Sequence, residues 1–189
     1  MDIYRELFLM QQTYATLFSL ANKIQVKGDK FLELLTSRQY MAMVAIAHLP
    51  EDETTLNNIA RKLGTTKQSV KQLITIIEIK GYVNVVLSRK DKRAINVKIT
   101  KTGKEVLLVV AEKGIFLLEE LFKKLSTEEL ETMWDLLKKL YSFDGEEQEG
   151  FEEDGNVKMD EDNNELQLRV MKEFERRRIQ AINRGKING

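Results

Sequence analysis

Residues 56–81 read LNNIARKLGTTKQSVKQLITIIEIKG, and they contain the most informative pattern in the chain. Two apolar patterns of helical period lie on either side of Gly64. Ala60 is small enough for a second helix to cross closely, Gly64 suits a turn with positive φ, and Val70 can lock the two helices together. The spacing predicts a helix-turn-helix, whose second helix would point its first residues into a DNA major groove. The alternative is an ordinary helical hairpin with a polar outer face.

The start of the second helix carries the side chains that would contact DNA. All of them are polar and can form hydrogen bonds, and they are Thr65, Thr66, Lys67, Gln68, Ser69, Lys71 and Gln72. Base edges in the major groove present donors and acceptors to such groups, so we expect this set to form the recognition surface.

The period changes from helical to alternating after Gly81. Alternation over residues 83–88 and again over residues 95–99 predicts two strands joined by a charged loop. A strand pair directly after a helix-turn-helix is typical of a winged helix. We therefore predict a mainly α fold with a small β-hairpin wing.

Long helices are predicted on both sides of this region. Residues 2–25 carry an apolar stripe at three- and four-residue spacing, and Gly28 and Asp29 are expected to interrupt it. Thr36 and Gln39 form a capping box for a helix that stops at Pro50. Two further helices are predicted after the hairpin, from about residue 102 to 125 and from 126 to 141.

The net charge of zero conceals a strong asymmetry. Residues 56–104 have a net charge of +10, residues 144–165 of −10 and residues 166–189 of +5. A segment this basic is a candidate surface for a polyanion, because neutralising phosphates is how such a surface gains binding energy. The alternative is a solvated, lysine-rich surface.

The composition argues against several classes of protein. There is no cysteine, and His48 is the only histidine, so disulfide scaffolds, cysteine nucleophiles and multi-histidine metal sites are excluded and a histidine-based triad is improbable. Apolar runs are too short to cross a membrane, and the N-terminus has no secretory signal. We expect a cytoplasmic protein that is not an enzyme and that needs no cofactor and no metal.

These features resemble the MarR family (multiple antibiotic resistance regulators). The resemblance rests on Leu56 to Gly81, and on Asp91-Lys92-Arg93-Ala94 followed by Ile99-Thr100-Lys101-Thr102-Gly103, and it covers about residues 1–143. It implies an interface in which Arg93 enters the minor groove while Asp91 orients it, within a wing tip of Arg89, Lys90, Asp91, Lys92 and Arg93. The alternative is a surface ion pair between Asp91 and Arg93. Val85 departs from the family, in which many members have arginine there.

The resemblance also implies what the protein does. Family members are homodimers, so we expect a sequence-specific transcriptional regulator on a palindromic operator in double-stranded DNA, acting as a repressor. A small lipophilic or aromatic effector would relieve repression from a pocket lined by Tyr14, Phe18, Tyr40, Met41 and Met43, although such residues are more often plain core. The alternatives are a protein-interaction module and a nonspecific architectural DNA-binding protein.

The chain divides into three parts on this interpretation. Residues 1–143 form the winged-helix domain, with dimerisation helices at about 2–25 and 102–141 and a DNA-binding lobe at about 36–100. Residues 144–164 form an acidic linker and residues 165–189 a basic C-terminal helix or tail. That extension could add DNA contacts, compete with DNA through its acids, dock on a partner, or serve as a solubilising tail.

Overall fold

The computed structural model describes residues 2–88, 95–146, 150–151 and 162–187, with the backbone alone for 162–167 and 182–187. Seven α-helices, two strands and two short 3-10 turns make up this part of the chain. In chain order they are α1 (Ile3–Leu32), α2 (Ser37–His48), a turn (Glu51–Glu53), α3 (Leu56–Lys62), α4 (Lys67–Ile79), β1 (Val83–Leu87), β2 (Ile95–Ile99), α5 (Lys101–Phe122), α6 (Thr127–Tyr141), a turn (Ser142–Asp144) and α7 (Asp162–Ile187). The mainly α architecture with one β-hairpin is as predicted.

Local capping determines where most of the helices begin. The hydroxyls of Thr36, Thr55, Thr66 and Ser126 each accept a backbone N–H three residues further on, so that an otherwise unpaired donor is satisfied. Thr36 and Ser126 belong to complete capping boxes, with Gln39 and Glu129 returning the hydrogen bond.

The prediction that Gly28 and Asp29 interrupt the first helix is wrong, because α1 continues to Leu32. Gly28 is buried and allows α1 to approach the start of α2: a Cβ placed on it would lie 2.2 Å from the Ser37 Oγ. The Asp29 carboxylate accepts the Ser37 backbone N–H at 2.7 Å. Both residues therefore serve the corner between α1 and α2, and neither ends the helix.

The hydrophobic core spans the predicted DNA-binding lobe and extends into the helices on both sides of it. It joins the C-terminal end of α1 to α2, α3, α4, the hairpin and the first half of α5, through residues such as Met43, Ile59, Ile77, Val97 and Val110. Each of these five side chains has no exposed surface. The lobe is thus a packed unit that can hold α4 in a fixed orientation.

The hairpin is antiparallel, with Val83 opposite Ile99 and Val85 opposite Val97. Its far end departs from simple alternation, since Leu87 is 73% exposed whereas Asn96 is buried. The segment before α3 explains the burial of Asn96: it bridges β2 at this point, and the Val97 N–H donates to the Thr54 carbonyl at 3.0 Å.

The C-terminal helix α7 docks on α5 of the same chain. Val170 is buried, and the Arg177 guanidinium lies 4.2 Å from the centre of the Phe116 ring. Arg178 donates to the carbonyls of Phe122 and Leu125, at 2.8 and 2.9 Å, and so caps the C-terminal end of α5.

Candidate nucleic-acid interface

The turn between α3 and α4 has the geometry that a helix-turn-helix needs. Gly64 has a φ of +59°, a conformation that side chains with a Cβ rarely adopt. Ala60 and Val70 are both buried in the same core cluster, and the Thr65 N–H donates to the Ala60 carbonyl at 3.0 Å. These contacts fix the angle at which α4 leaves the turn.

The first turn of α4 divides the predicted recognition residues into two groups. Thr66 caps the helix, and its Oγ1 lies 3.2 Å from the Ser69 backbone nitrogen and 3.0 Å from the Ser69 Oγ. Thr65 and Ser69 are half-buried. The four remaining side chains are exposed to solvent: Lys67, Gln68, Lys71 and Gln72.

The exposed side chains form a stripe along α4 that extends further than expected. Gln68, Lys71, Gln72 and Thr75 follow the i, i+3, i+4, i+7 spacing of one helix face, and all four are exposed. Thr75 was not among the predicted residues. The same spacing in the sequence could have identified it, although its hydroxyl already donates to the Lys71 carbonyl at 2.9 Å.

Several cations of the basic segment have structural partners. Lys80 donates to the Leu34 carbonyl and to the Gln39 side chain, each at 3.1 Å, and thereby ties the end of α4 to α2. Lys98 forms an ion pair with Glu51. The large positive charge of residues 56–104 is therefore partly used in packing, whereas Lys67 and Lys71 are exposed along the recognition stripe.

The hairpin is attached to α4 and α5 by specific contacts. Glu78 of α4 accepts the Val85 N–H at 3.2 Å, and the half-buried Val85 side chain packs against the core. Val85 thus fills an inward position. At the other end, the Thr100 hydroxyl donates to the Gly81 carbonyl at 2.7 Å. The predicted wing-tip residues Arg89, Lys90, Asp91, Lys92 and Arg93 lie outside the described residues.

The five predicted effector-pocket residues lie in different surroundings. Tyr14 and Phe18 are 76% and 67% exposed on α1, whereas Met43 is in the core. Tyr40 is half-buried beside Gly114, and its burial raises the pKa of its hydroxyl. Met41 is 38% exposed. A cavity of about 450 Å³ lies elsewhere, between the end of α2, β2 and α5, and none of the five residues lines it.

Two surfaces of the described part of the chain expose many apolar side chains. The first two-thirds of α1 exposes large apolar side chains, and α6 has no buried residue although Trp134, Leu136 and Leu140 are apolar. Apolar patches of this extent usually belong to an interface. Among the described residues, no helix has the length and apolar character needed to cross a bilayer.

Comparison with known proteins shows which family this part of the chain is similar to. A family model described as MarR family matches residues 35–94, which include α2, the helix-turn-helix and the first strand of the hairpin. The transcriptional activatory protein BadR of Rhodopseudomonas palustris is 28% identical over 110 residues. The match takes in 57% of this chain and spans 63% of BadR.

Solved structures share the fold over most of the chain. MepR of S. aureus, solved as a complex with DNA, is 28% identical with a TM-score of 0.61, and the match covers 68% of this chain and 96% of MepR. A mutant of MarR from E. coli, complexed with operator DNA, is 22% identical with a TM-score of 0.60. That match covers 74% of this chain and 99% of the MarR chain, and it concerns the fold alone.

Proposed function

We propose that this protein is a sequence-specific DNA-binding transcriptional regulator, because a MarR-family model matches residues 35–94 and because MepR, solved as a complex with DNA, is similar in fold. The observation that carries the proposal is the exposed polar stripe of α4, held at a fixed angle by the buried α3–α4 contact. Amide and ammonium groups on such a helix can read base edges in a major groove, and the cations can also neutralise phosphates.

The regulator acts as a homodimer on an inverted repeat in this proposal. The exposed apolar faces of α1 and α6 support it, because burying them against a second copy removes apolar surface from water. Two copies of α4 then lie about 34 Å apart, one turn of B-DNA, and contact successive major grooves. The wing-tip residues, Arg93 and Asp91 above all, supply the minor-groove contact, where a narrow A·T groove attracts arginine.

We place this activity in the cytoplasm. Its expected outcome is repression, because a dimer bound over a promoter excludes other proteins from that promoter. Whether such a protein represses or activates a gene depends on where its operator lies relative to the promoter. The relative BadR, for example, is named as an activatory protein. A small aromatic or lipophilic effector would relieve repression. Tyr14 and Phe18 are too exposed in one copy to enclose such a ligand, so its site needs the partner's surface as well.

Selection from random duplexes tests the proposal. The full-length protein is mixed with a pool of random-sequence duplexes at low and at moderate salt, and the retained DNA is sequenced. We expect an enriched inverted repeat with half-site centres about 10 bp apart, because α4 repeats across a two-fold axis. The double variant Lys67→Ala/Arg93→Ala is expected to lose most of the retention.

The other outcomes favour the alternatives. Retention that is uniform across sequences and falls with salt would replace specific regulation with phosphate binding by an architectural protein. No retention even at low salt would contradict DNA binding and favour a protein-interaction module.

A further inference from the structure

The buried face of α4 determines which of its side chains stand furthest from the core. Val70, Ile74 and Ile77 are buried in the lobe and lie along one side of the helix. At about 100° of rotation per residue, Gln68 and Gln72 lie within about 30° of the direction opposite that side. Both are exposed, and both belong to the first two turns of α4. A groove that receives the start of α4 therefore meets these two amides first.

The two lysines of the same turns lie on the flank of the helix. Lys71 is rotated by about 90° and Lys67 by about 130° from the outermost direction. An ammonium group carries donors only, and at the side of a helix that lies in a groove it faces the phosphates of the groove wall. The lysines are therefore placed to neutralise phosphates, whereas the amides are placed to contact base edges.

The hydroxyl groups near the amides are already engaged within α4. Thr66 caps the helix, and its Oγ1 lies 3.0 Å from the Ser69 Oγ. The Thr75 hydroxyl donates to the backbone carbonyl four residues earlier, at 2.9 Å. Within the described part of the chain, the side-chain amides of Gln68 and Gln72 form no hydrogen bond. Their full donor and acceptor capacity is therefore available to DNA.

The chemistry of a glutamine amide selects one base in the major groove. The amide presents an acceptor oxygen and a donor nitrogen side by side. Adenine presents the complementary pair, the N7 acceptor and the N6 donor, whereas guanine offers two acceptors, cytosine one donor, and thymine one acceptor beside a methyl group. Because only adenine satisfies both ends of the amide on a single base, the paired hydrogen bonds form at an A·T pair and are lost at a G·C pair.

We infer that Gln68 and Gln72 determine the specificity of the protein, each by reading one adenine of the operator half-site through its N6 and N7 atoms. The inference rests on the proposed function and names the base pairs that the regulator selects. Four residues of α-helix rise by about 6 Å, whereas successive base pairs are about 3.4 Å apart. The two A·T pairs therefore lie about two base pairs apart, and the two-fold axis repeats them in the other half-site.

Selection with single variants tests this assignment. Random-sequence duplexes are selected in parallel with the full-length wild type, Gln68→Ala and Gln72→Ala, and the retained DNA is sequenced. We expect the wild-type half-site to require A·T at two positions, and each variant to lose the requirement at a different one of them while it keeps the rest of the site. Gln180→Ala, exposed on α7, is the matched control and should select the wild-type sequence. Gln68→Ala and Gln72→Ala proteins that also select the wild-type sequence would overturn the inference.

A modified base tests the atoms that make the contact. In the selected operator, each of the two adenines is replaced by 7-deazaadenine, which keeps Watson–Crick pairing and lacks the N7 acceptor. We expect wild-type affinity to fall about five- to tenfold for each replacement. In the variant that lacks the matching glutamine, the same replacement should cause no further loss, because the contact is already absent. An unaffected wild type, or losses that add in the variant, would overturn the inference.

The two experiments distinguish the inference from the proposed function. An enriched inverted repeat that lacks the two A·T requirements refutes the inference alone and leaves a sequence-specific regulator. If the wild type enriches no sequence, the proposed function fails and the inference fails with it. Both glutamines are exposed, so the variants should fold with the stability of the wild type, and circular dichroism checks this.

Discussion

Single residues control how closely the elements of the DNA-binding lobe approach one another. Gly103, in the first turn of α5, is the tightest case, since a Cβ on it would lie 1.9 Å from the Tyr82 carbonyl oxygen. That oxygen is backbone and already accepts the Thr100 N–H at 3.0 Å. The Gly103 N–H in turn donates to the Thr100 hydroxyl at 2.9 Å, so Thr100 and Gly103 act together at the junction of wing and helix.

We predict that Gly103→Ala lowers the free energy of unfolding by about 2–4 kcal/mol, because neither the backbone of residue 82 nor the cap of α5 can move freely. Urea denaturation at one protein concentration measures it. Thr102→Ala, at the exposed neighbouring position, is the control and should change stability by less than about 0.5 kcal/mol. Similar costs for the two variants would show that the junction is more adaptable than its geometry implies.

Gly28 gives a prediction in which one substitution corrects another. An alanine there would meet the Ser37 Oγ at 2.2 Å, whereas the next nearest atoms lie at 3.4 Å. We expect Gly28→Ala to cost about 1–2 kcal/mol alone. In a Ser37→Ala background the clash is absent, and the same change should be neutral or stabilise by up to about 1 kcal/mol, since alanine is the better helix former. An equal cost in both backgrounds would contradict this explanation.

At the scale of elements, DNA affinity should depend most on the side chains of α4. Lys67 is exposed in its first turn and lies on the predicted interface. Lys67→Ala is expected to weaken binding to all sequences by a similar factor and to reduce the slope of log affinity against log salt by about 1. Lys124, exposed beyond the end of α5, provides the control. An unchanged slope for Lys67→Ala would remove this lysine from the interface.

The docking of α7 on α5 depends on the side chains along one side of α7. Arg178 caps the end of α5, whereas Arg176 is 57% exposed at its side chain and bonds Glu173 within α7. Arg178→Ala should speed amide hydrogen exchange in α7 about tenfold, which corresponds to about 1.4 kcal/mol for two lost hydrogen bonds. Arg176→Ala should have a smaller effect, because it removes hydrogen bonds within α7 and leaves both contacts of Arg178 with α5 in place. Equal protection of α7 in all three proteins would mean that Arg178 does not hold the helix.

Acid should weaken a second set of interactions, which lies within α7 itself. Hydrogen bonds from Arg176 and Arg177 lower the pKa of Glu173 to about 2, from an ordinary value of 4.5. Because this pKa is lowered in the folded protein, the ionised Glu173 carboxylate stabilises the fold fully above about pH 4.5. That stabilisation is lost as the pH falls toward 2. Amide exchange in α7, corrected for its intrinsic pH dependence, should therefore rise over that range, and the rise should shrink in Glu173→Gln. A pH response that Glu173→Gln leaves intact would assign the effect elsewhere, for example to Glu112, which pairs with Arg169.

For the whole molecule, association should depend on the exposed face of α1. Tyr14 and Phe18 lie one turn apart on that face, and Tyr14→Glu/Phe18→Glu places two charges where apolar surface would be buried. Sedimentation is expected to show a dimer for the wild type and a monomer for this variant. Gln12→Glu/Thr16→Glu, with the same spacing on the opposite face, should remain dimeric. Dissociation by the control pair alone would place the interface on the other side of α1.

The features that could be predicted from the sequence depend on local chemistry. Four helices begin at a capping hydroxyl that bonds a backbone N–H three residues further on, and the capping residues are Thr36, Thr55, Thr66 and Ser126. Because both partners are close in the sequence, these helix starts could be predicted from it. The turn glycines Gly64 and Gly81 adopt positive φ for reasons of their own backbone. The helix-turn-helix itself followed from helical spacing around Gly64, and the hairpin from alternation.

The partners of residues that are distant in the sequence became visible only in the folded structure. Gly28 looked like a helix end because its role depends on Ser37 of another helix, and α1 therefore proved longer than predicted. Phe151 and Arg178 contact residues about 90 and 55 positions earlier in the chain. No local sequence pattern encodes such pairs. A sequence specifies helix caps and periodicity through neighbours along the chain. Close approaches between helices, the docking of α7 and the use of Lys80 and Lys98 in packing arise only when the folded core brings remote segments together.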